Sequence, residues 1–250
     1  IIEPRRLILA WQAPEEHGSR KRHLVGEIQQ RDDGVVFSYL EGTDDFETAI
    51  SLGFRGYPAF NLKRKRHAVG VLEAFERRLP PRSRSDFSTY LERYRLVPSA
   101  QLSTLSLLGY TGASLPRDGF SLVNPFDDVQ QPCEFLLEVA GFRYQNHVSV
   151  AELSIGDAVS FCTQPTNPFD SNAVQVYWDR VPIGYVCRGQ TTAFQRWLRN
   201  AISIEGVIER LNGIPDRPLV FVFVKIRPPV GHTLYEQSGG AALRVAEGPH

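Results

Sequence analysis

The richest stretch of side-chain chemistry is PTNPFDSNAVQV, Pro165 to Val176, where an amide (Asn167), a ring (Phe169) and a carboxylate (Asp170) fall close together. Two readings are open for it. Asp170 and Asn172 can bond nearby backbone amides as Asx turns beside Pro168, with Phe169 plugging a core, or the same groups can face a ligand. Arg143 and Tyr144 are polar and amphipathic groups at the exit of an expected strand, and Tyr185 follows Gly184 in another, where cross-strand packing is the alternative. Two basic clusters stand out in the first half. Lys63, Arg64, Lys65 and Arg66, followed by His67, concentrate positive potential in an expected loop and form the stronger phosphate-contacting patch. Arg20, Lys21 and Arg22, followed by His23, form the second, and a solvated loop is the alternative for both.

Catalytic groups are not gathered in the same way. The six histidines, His17, His23, His67, His147, His232 and His250, stand singly, and no HExxH joins two of them. Asp127 and Asp128 can hold a divalent cation or simply solvate a loop. Serine and cysteine nucleophiles lack an elbow motif, and no GxxxxGK[ST] loop is present. A binding protein without metal or cofactor is therefore expected rather than an enzyme. A hydrolase assembled from distant residues is a further alternative, because such a site leaves no local trace.

The chain has 250 residues, with 28 basic and 28 acidic side chains and 42% hydrophobic content, a composition that suits one or two globular domains. Residues 1–100 carry 17 Lys and Arg against 14 Asp and Glu, whereas residues 133–229 carry nine of each. Nucleic-acid binding by the second half would thus need a local pocket rather than a broad basic field. Cys133, Cys162 and Cys187 are odd in number and well separated, with no CxxC pair, which disfavours a disulfide framework and a cysteine zinc site. No apolar run long enough for a bilayer is present, and a cytoplasmic location is expected. Methionine is absent, including at position 1, so the sequence is expected to be a piece of a longer reading frame.

The elements that must position these residues can be read from period and punctuation. Residues 5–12, 22–29 and 34–40 read as strands, and Thr43 before Asp44 and Asp45 reads as a capped helix start with Phe46, Ala49 and Ile50 as its apolar stripe. Residues 69–78, 86–96 and 99–108 read as helices. Gly, Ser, Pro, Asp and Gln dominate residues 111–132, which are expected to be a linker between a first module, 1–110, and a second, 133–229. In the second module strands are expected at 134–140, 157–163, 172–178, 181–187, 202–209 and 219–226, with a helix at 190–199. The fold class is α+β, a small meander with helices followed by a β-rich barrel with one helix. Residues 230–250 are expected to be a flexible tail.

The second module resembles the HIRAN domain. The resemblance is carried by VAGFRY (Val139 to Tyr144), PTNPFDSNAVQV, VPIGYV (Val181 to Val186) and IEGVI (Ile204 to Ile208). It implies an OB-like barrel that captures single-stranded DNA or its 3′ end, in DNA repair or defence, with Arg143 and Tyr144 meeting the terminal nucleotides, Asn167, Phe169 and Asp170 lining the pocket, and Tyr185 facing it. Physical chemistry agrees with those roles. The Asp170 carboxylate can accept a hydrogen bond from a 3′-hydroxyl and repels a phosphate, Tyr144 or Phe169 can stack on a base, and Arg143 can fork onto a phosphate. The sequence departs from its relatives at Gln145, where a second aromatic is common, at Phe169, where Tyr is common, and at Tyr185, where His occurs.

The first module is more weakly similar to the N-terminal subdomain of HipA-type toxin kinases, through LVGEI (Leu24 to Ile28), FSYL (Phe37 to Leu40), LGFRGYPAF (Leu52 to Phe60) and FERRLPP (Phe75 to Pro81). No kinase core follows it. That likeness implies a docking module and gives the rival reading, an antitoxin-like or adaptor component that docks on a HipA-like kinase. A helicase or nuclease is the partner expected under the DNA reading.

Overall fold

The computed structural model describes residues 1–14, 21–115, 118–127, 129, 131–145, 147–214 and 217–228. Asp128, Arg20, His17, His232, His250 and the expected tail, 230–250, lie outside the described residues. The first sheet is made from β1 (Arg6–Gln12), β2 (Arg22–Arg31), β3 (Gly34–Tyr39), β4 (Arg66–His67) and β5 (Phe120–Val123), in the order β4-β3-β2-β1-β5 with antiparallel neighbours throughout, and β1 is buried along its length from Leu7 to Trp11. Leu7 and Leu9 of β1, with Val25 and Ile28 of the central strand β2 and Phe37 of β3, join a first core filled by aromatic rings. The helices α1 (Asp44–Ser51), α2 (Val71–Glu76), α3 (Phe87–Glu92) and α4 (Thr104–Thr111) follow the meander. As the sequence predicts, the Thr43 hydroxyl caps α1 by accepting the Phe46 N–H at 3.3 Å, with Asp44, Asp45 and Glu47 in the first turn.

The second sheet contains β6 (Cys133–Glu138), β7 (Ala158–Thr163), β8 (Val174–Trp178), β9 (Val181–Tyr185), β10 (Ser203–Ile214) and β11 (Arg217–Arg227), ordered β6-β11-β10-β7-β8-β9. Its two edges meet. Ala140, just past β6, and Tyr185 at the end of β9 exchange two backbone hydrogen bonds of 2.8 Å, which curls the sheet towards a barrel. The helix α5 (Thr191–Arg199) packs Phe194 and Trp197, both fully buried, among Phe135, Phe161 and Phe126. The α+β class and the β-rich second module agree with the sequence reading.

Where a linker between modules is expected, the described residues of 111–132 contribute to both cores. Phe120 to Val123 is a strand paired with Trp11 to Ile8, and Phe120 and Leu122 enter the first core while Phe126 and Val129 enter the second. The strand is too short to show a period, and Gly119 and Pro125 on either side mimic loop punctuation. Gly119 is there because the backbones touch: a Cβ would lie 2.2 Å from the Gln12 carbonyl oxygen, and the Gln12 N–H donates to the Gly119 carbonyl at 2.9 Å. Helix α4 is shared in the same way, with Leu105 and Leu108 in the first core and Leu107 and Tyr110 in the second. Among the described residues no helix is long and apolar enough to cross a membrane.

Candidate nucleic-acid interface

Barrel closure determines where Arg143 and Tyr144 go. Past the Ala140 bridge, Gly141 turns the chain at φ +78°, and Phe142–Tyr144 forms one 3-10 turn that sinks Phe142 into the core and sends the next two side chains out. Tyr144 is 61% exposed. The Arg143 guanidinium sits 4.5 Å from the centre of its ring and donates through Nη2 to the Tyr144 hydroxyl. An exposed ring backed by a cation is a surface on which a base can stack while its phosphate meets the charge.

These two residues line an open groove of about 560 Å³ between the modules, within the usual range of about 300 to 1,000 Å³ for ligand clefts. One wall is Glu138 to Tyr144, Cys187, Arg188 and the start of β11 from Arg217 to Leu219; the other is Gln12, Lys21 and Arg22 of the first module. Five cations, Lys21, Arg22, Arg143, Arg188 and Arg217, therefore face one lining carboxylate, Glu138. Arg22 Nη2 bonds Glu138 Oε1 at 2.9 Å across the module boundary. Arg188 is held from two sides, by Asp45 of α1 through Nη1 and by Asp170 Oδ2, 3.4 Å from its Nε. Asp45 also lies 3.4 Å from Nδ1 of His23, which is 1% exposed. Burial pulls the His23 pKa below the ordinary histidine value against the attraction of Asp45, so the ring is neutral at pH 7 and the Asp45 charge remains for Arg188. The Cys187 thiol is pushed up to about 11 by burial and stays protonated at neutral pH, which leaves it a poor nucleophile.

The PTNPFDSNAVQV loop resolves into a turn with an exposed tip. Asn167 Oδ1 accepts the N–H groups of Phe169 (2.9 Å) and Asp170 (3.2 Å), and Asp170 Oδ1 accepts that of Asn172 at 2.9 Å, as the Asx reading anticipates. Phe169 does not plug the core; it is 93% exposed. Tyr185 anchors the closure through its backbone, and its hydroxyl receives Asn167 Nδ2 at 3.4 Å. The structure thus brings Arg143 and Tyr144 together in the groove and links Asp170 to it through Arg188, while Asn167, Phe169 and Tyr185 do not line it. Arg188 and Arg217 escape sequence reasoning because each is a lone cation without a motif around it.

The Lys63 to Arg66 run sits elsewhere. Arg66 opens the edge strand β4, separated from β1 by β3 and β2, with Asp33 3.8 Å away, and none of the four lines the groove. Cations on an edge strand also discourage pairing with another chain. Changing all four to Gln is expected to leave the salt dependence of groove binding unchanged; a slope that flattens by about 0.7 per residue would place them on the nucleic acid. Among the described residues no three His, Cys, Asp or Glu side chains gather as metal ligands, and Asp127 is engaged by Arg6 at 2.7 Å.

The curled sheet, its Ala140–Tyr185 closure and the outward turn at Arg143 all fall within one stretch of sequence with a family match. Residues 133–224 match the HIRAN domain family. The groove lies along one side of the matched stretch. Among solved structures the chain is similar to the HIRAN domain of human HLTF, at 22% identity and a TM-score of 0.32 over 37% of this chain and 74% of that one. It is also similar to a protein from Lactobacillus plantarum, at 19% identity and a TM-score of 0.33 over 38% of this chain and 96% of that one. No curated protein matches the chain.

Proposed function

We propose that this protein binds single-stranded DNA, with a free 3′ end as its preferred ligand, through the HIRAN module, and that it acts as a binding protein rather than as an enzyme. The observation that carries the reading is the basic groove with the exposed Arg143–Tyr144 pair at its side. Phosphates are drawn by an excess of cations, and an unpaired base finds a ring to stack on, whereas duplex DNA hides its base faces. Asp170 supports the preference for an end. Its Oδ1 is occupied by the Asn172 N–H, and its Oδ2 faces Arg188 at the long distance of 3.4 Å, so a 3′-hydroxyl can donate to Oδ2 while a terminal phosphate meets a negative charge.

Fluorescence anisotropy with labelled strands ending in a 3′-hydroxyl or a 3′-phosphate, and with blunt duplex, tests this at fixed salt. The 3′-hydroxyl strand is expected to bind tightest. Tyr144→Ala should weaken every single strand by the stacking contribution of about 1 to 3 kcal/mol, roughly fivefold to 150-fold, and Asp170→Ala should narrow the gap between the two ends. Equal binding by wild type and both variants would remove the pocket from the site.

A further inference from the structure

We infer that the first module supplies one wall of the DNA site: Lys21 and Arg22 hold the phosphates of a single strand where it runs on past the Arg143–Tyr144 step. This rests on the DNA-binding reading above and adds to it the length of the ligand and the second module that holds it.

Three observations lead there. The groove is not contained in the HIRAN module, because Gln12, Lys21 and Arg22 at the facing ends of β1 and β2 close its other side. The walls are fixed to each other at the groove itself. Arg22 reaches Glu138 across the boundary, and Arg188 is tied to Asp45 in the first module as well as to Asp170 in the second. The spacing of the cations is therefore set before a ligand arrives, which lowers the ordering cost of binding. Charge points the same way: Arg143, Arg188 and Arg217 stand on the second module's wall, and Lys21 and Arg22 continue that run of cations onto the first module's wall.

The Arg22–Glu138 pair does not exclude this role. It uses one guanidinium nitrogen, its two side chains are 38% and 31% exposed, and the five N–H donors of an arginine can serve a carboxylate and a phosphate together. A strand with its end near Asp170 and Arg143 would place its next phosphates between Arg188 and Arg22. A very short strand would end before reaching the first module.

The test compares thymidine strands of 3 and 12 nucleotides, both with a free 3′-hydroxyl, on the whole protein and on Lys21→Gln/Arg22→Gln, with affinity followed from 50 to 300 mM salt. The 12-mer is expected to lose about tenfold at 0.1 M salt and its log–log salt slope to fall by about 1.4, two contacts at about 0.7 each, whereas the 3-mer binds both proteins alike. Because Arg22 also ties the modules, Arg22→Lys is measured beside it. It keeps the charge and loses the fork, so it should keep the wild-type slope even if the affinity drops. A double variant that binds the 12-mer with the wild-type slope overturns the inference and leaves the DNA reading standing. A slope lost equally in Arg22→Lys also overturns it, by showing that the pair acts through module packing. Failure of the wild-type protein to bind either strand would overturn both.

Discussion

Gly184→Ala is expected to cost about 3 to 5 kcal/mol of folding stability and to remove strand binding with it. Gly184 has φ +137°, where an L side chain is strained by about 1 to 3 kcal/mol, and a Cβ there would stand 2.5 Å from the Ala140 carbonyl oxygen and 2.6 Å from Val139 Cγ1. Those atoms belong to the segment just past β6 that closes the barrel. Relieving the clash means parting Ala140 from Tyr185, with the loss of two backbone hydrogen bonds at about 1 kcal/mol each. The turn bearing Arg143 and Tyr144 hangs from that bridge, so its aim at the groove should be lost too. Gly141→Ala is the matched control: φ is +78°, but no atom lies within 4 Å of the added Cβ, so only the backbone penalty applies. Urea unfolding followed by tryptophan emission, with Trp197 buried in the core, reads both variants. If Gly184→Ala costs no more than Gly141→Ala, the closure is not what the glycine serves.

Closure is also where the sequence was least legible. Each strand of the second module appears in the sequence as an apolar run between turn residues, and the observed elements fall close to those runs. What a run cannot display is a pairing with a residue far along the chain. The Ala140–Tyr185 bridge spans 45 positions, and nothing in VAGFRY or VPIGYV announces it beyond a glycine in each. The site divides in the same way. Arg143 and Tyr144 are visible because neighbours in sequence remain neighbours in space on one 3-10 turn. The turn chemistry of Asn167 and Asp170 is visible because it is local, with bonds to residues two or three positions away. Arg188 and Asp45 lie 143 residues apart and meet only because the two modules pack together. The basic run at Lys63 to Arg66 stands out in the sequence by density alone, whereas Lys21 and Arg22, part of a weaker run, are the ones the fold carries to the groove.

Asp118→Ala should destabilise the first module by about 3 to 5 kcal/mol, although Asp118 is partly exposed and lies in the segment that reads as a linker. Its partner Arg78 has a side chain only 4% exposed and forks onto it with bonds of 2.7 and 2.8 Å. The same guanidinium donates to the carbonyls of Ala113 (2.8 Å) and Phe120 (2.9 Å) and lies 5.9 Å from the ring centres of Tyr57 and Phe120. Burial alone would pull the Arg78 pKa down, but the Asp118 and Tyr57 interactions outweigh it and hold the pKa above the ordinary arginine value; with Asp118 removed the guanidinium still keeps its charge, because an arginine does not deprotonate in proteins. Arg78→Met separates charge from packing. It keeps an apolar stem and leaves Asp118 to water, but it strips the donors from two buried carbonyls, at about 1 to 3 kcal/mol. The double variant Asp118→Ala/Arg78→Met should therefore be more stable than Asp118→Ala alone, because no buried charge is left uncompensated. Thermal unfolding of the three variants decides it, and additive losses would mean that the pair is not coupled. The consequence should extend to the groove proposed to hold DNA. Arg78 fixes the segment that delivers β5 to β1, and Val123 of β5 packs where a Cβ on Gly189 would stand, 2.8 Å from its Cγ1, beside Arg188. Loosening β5 frees the chain next to a groove cation, so Asp118→Ala should weaken binding of a 12-nucleotide strand even at temperatures where the protein remains folded.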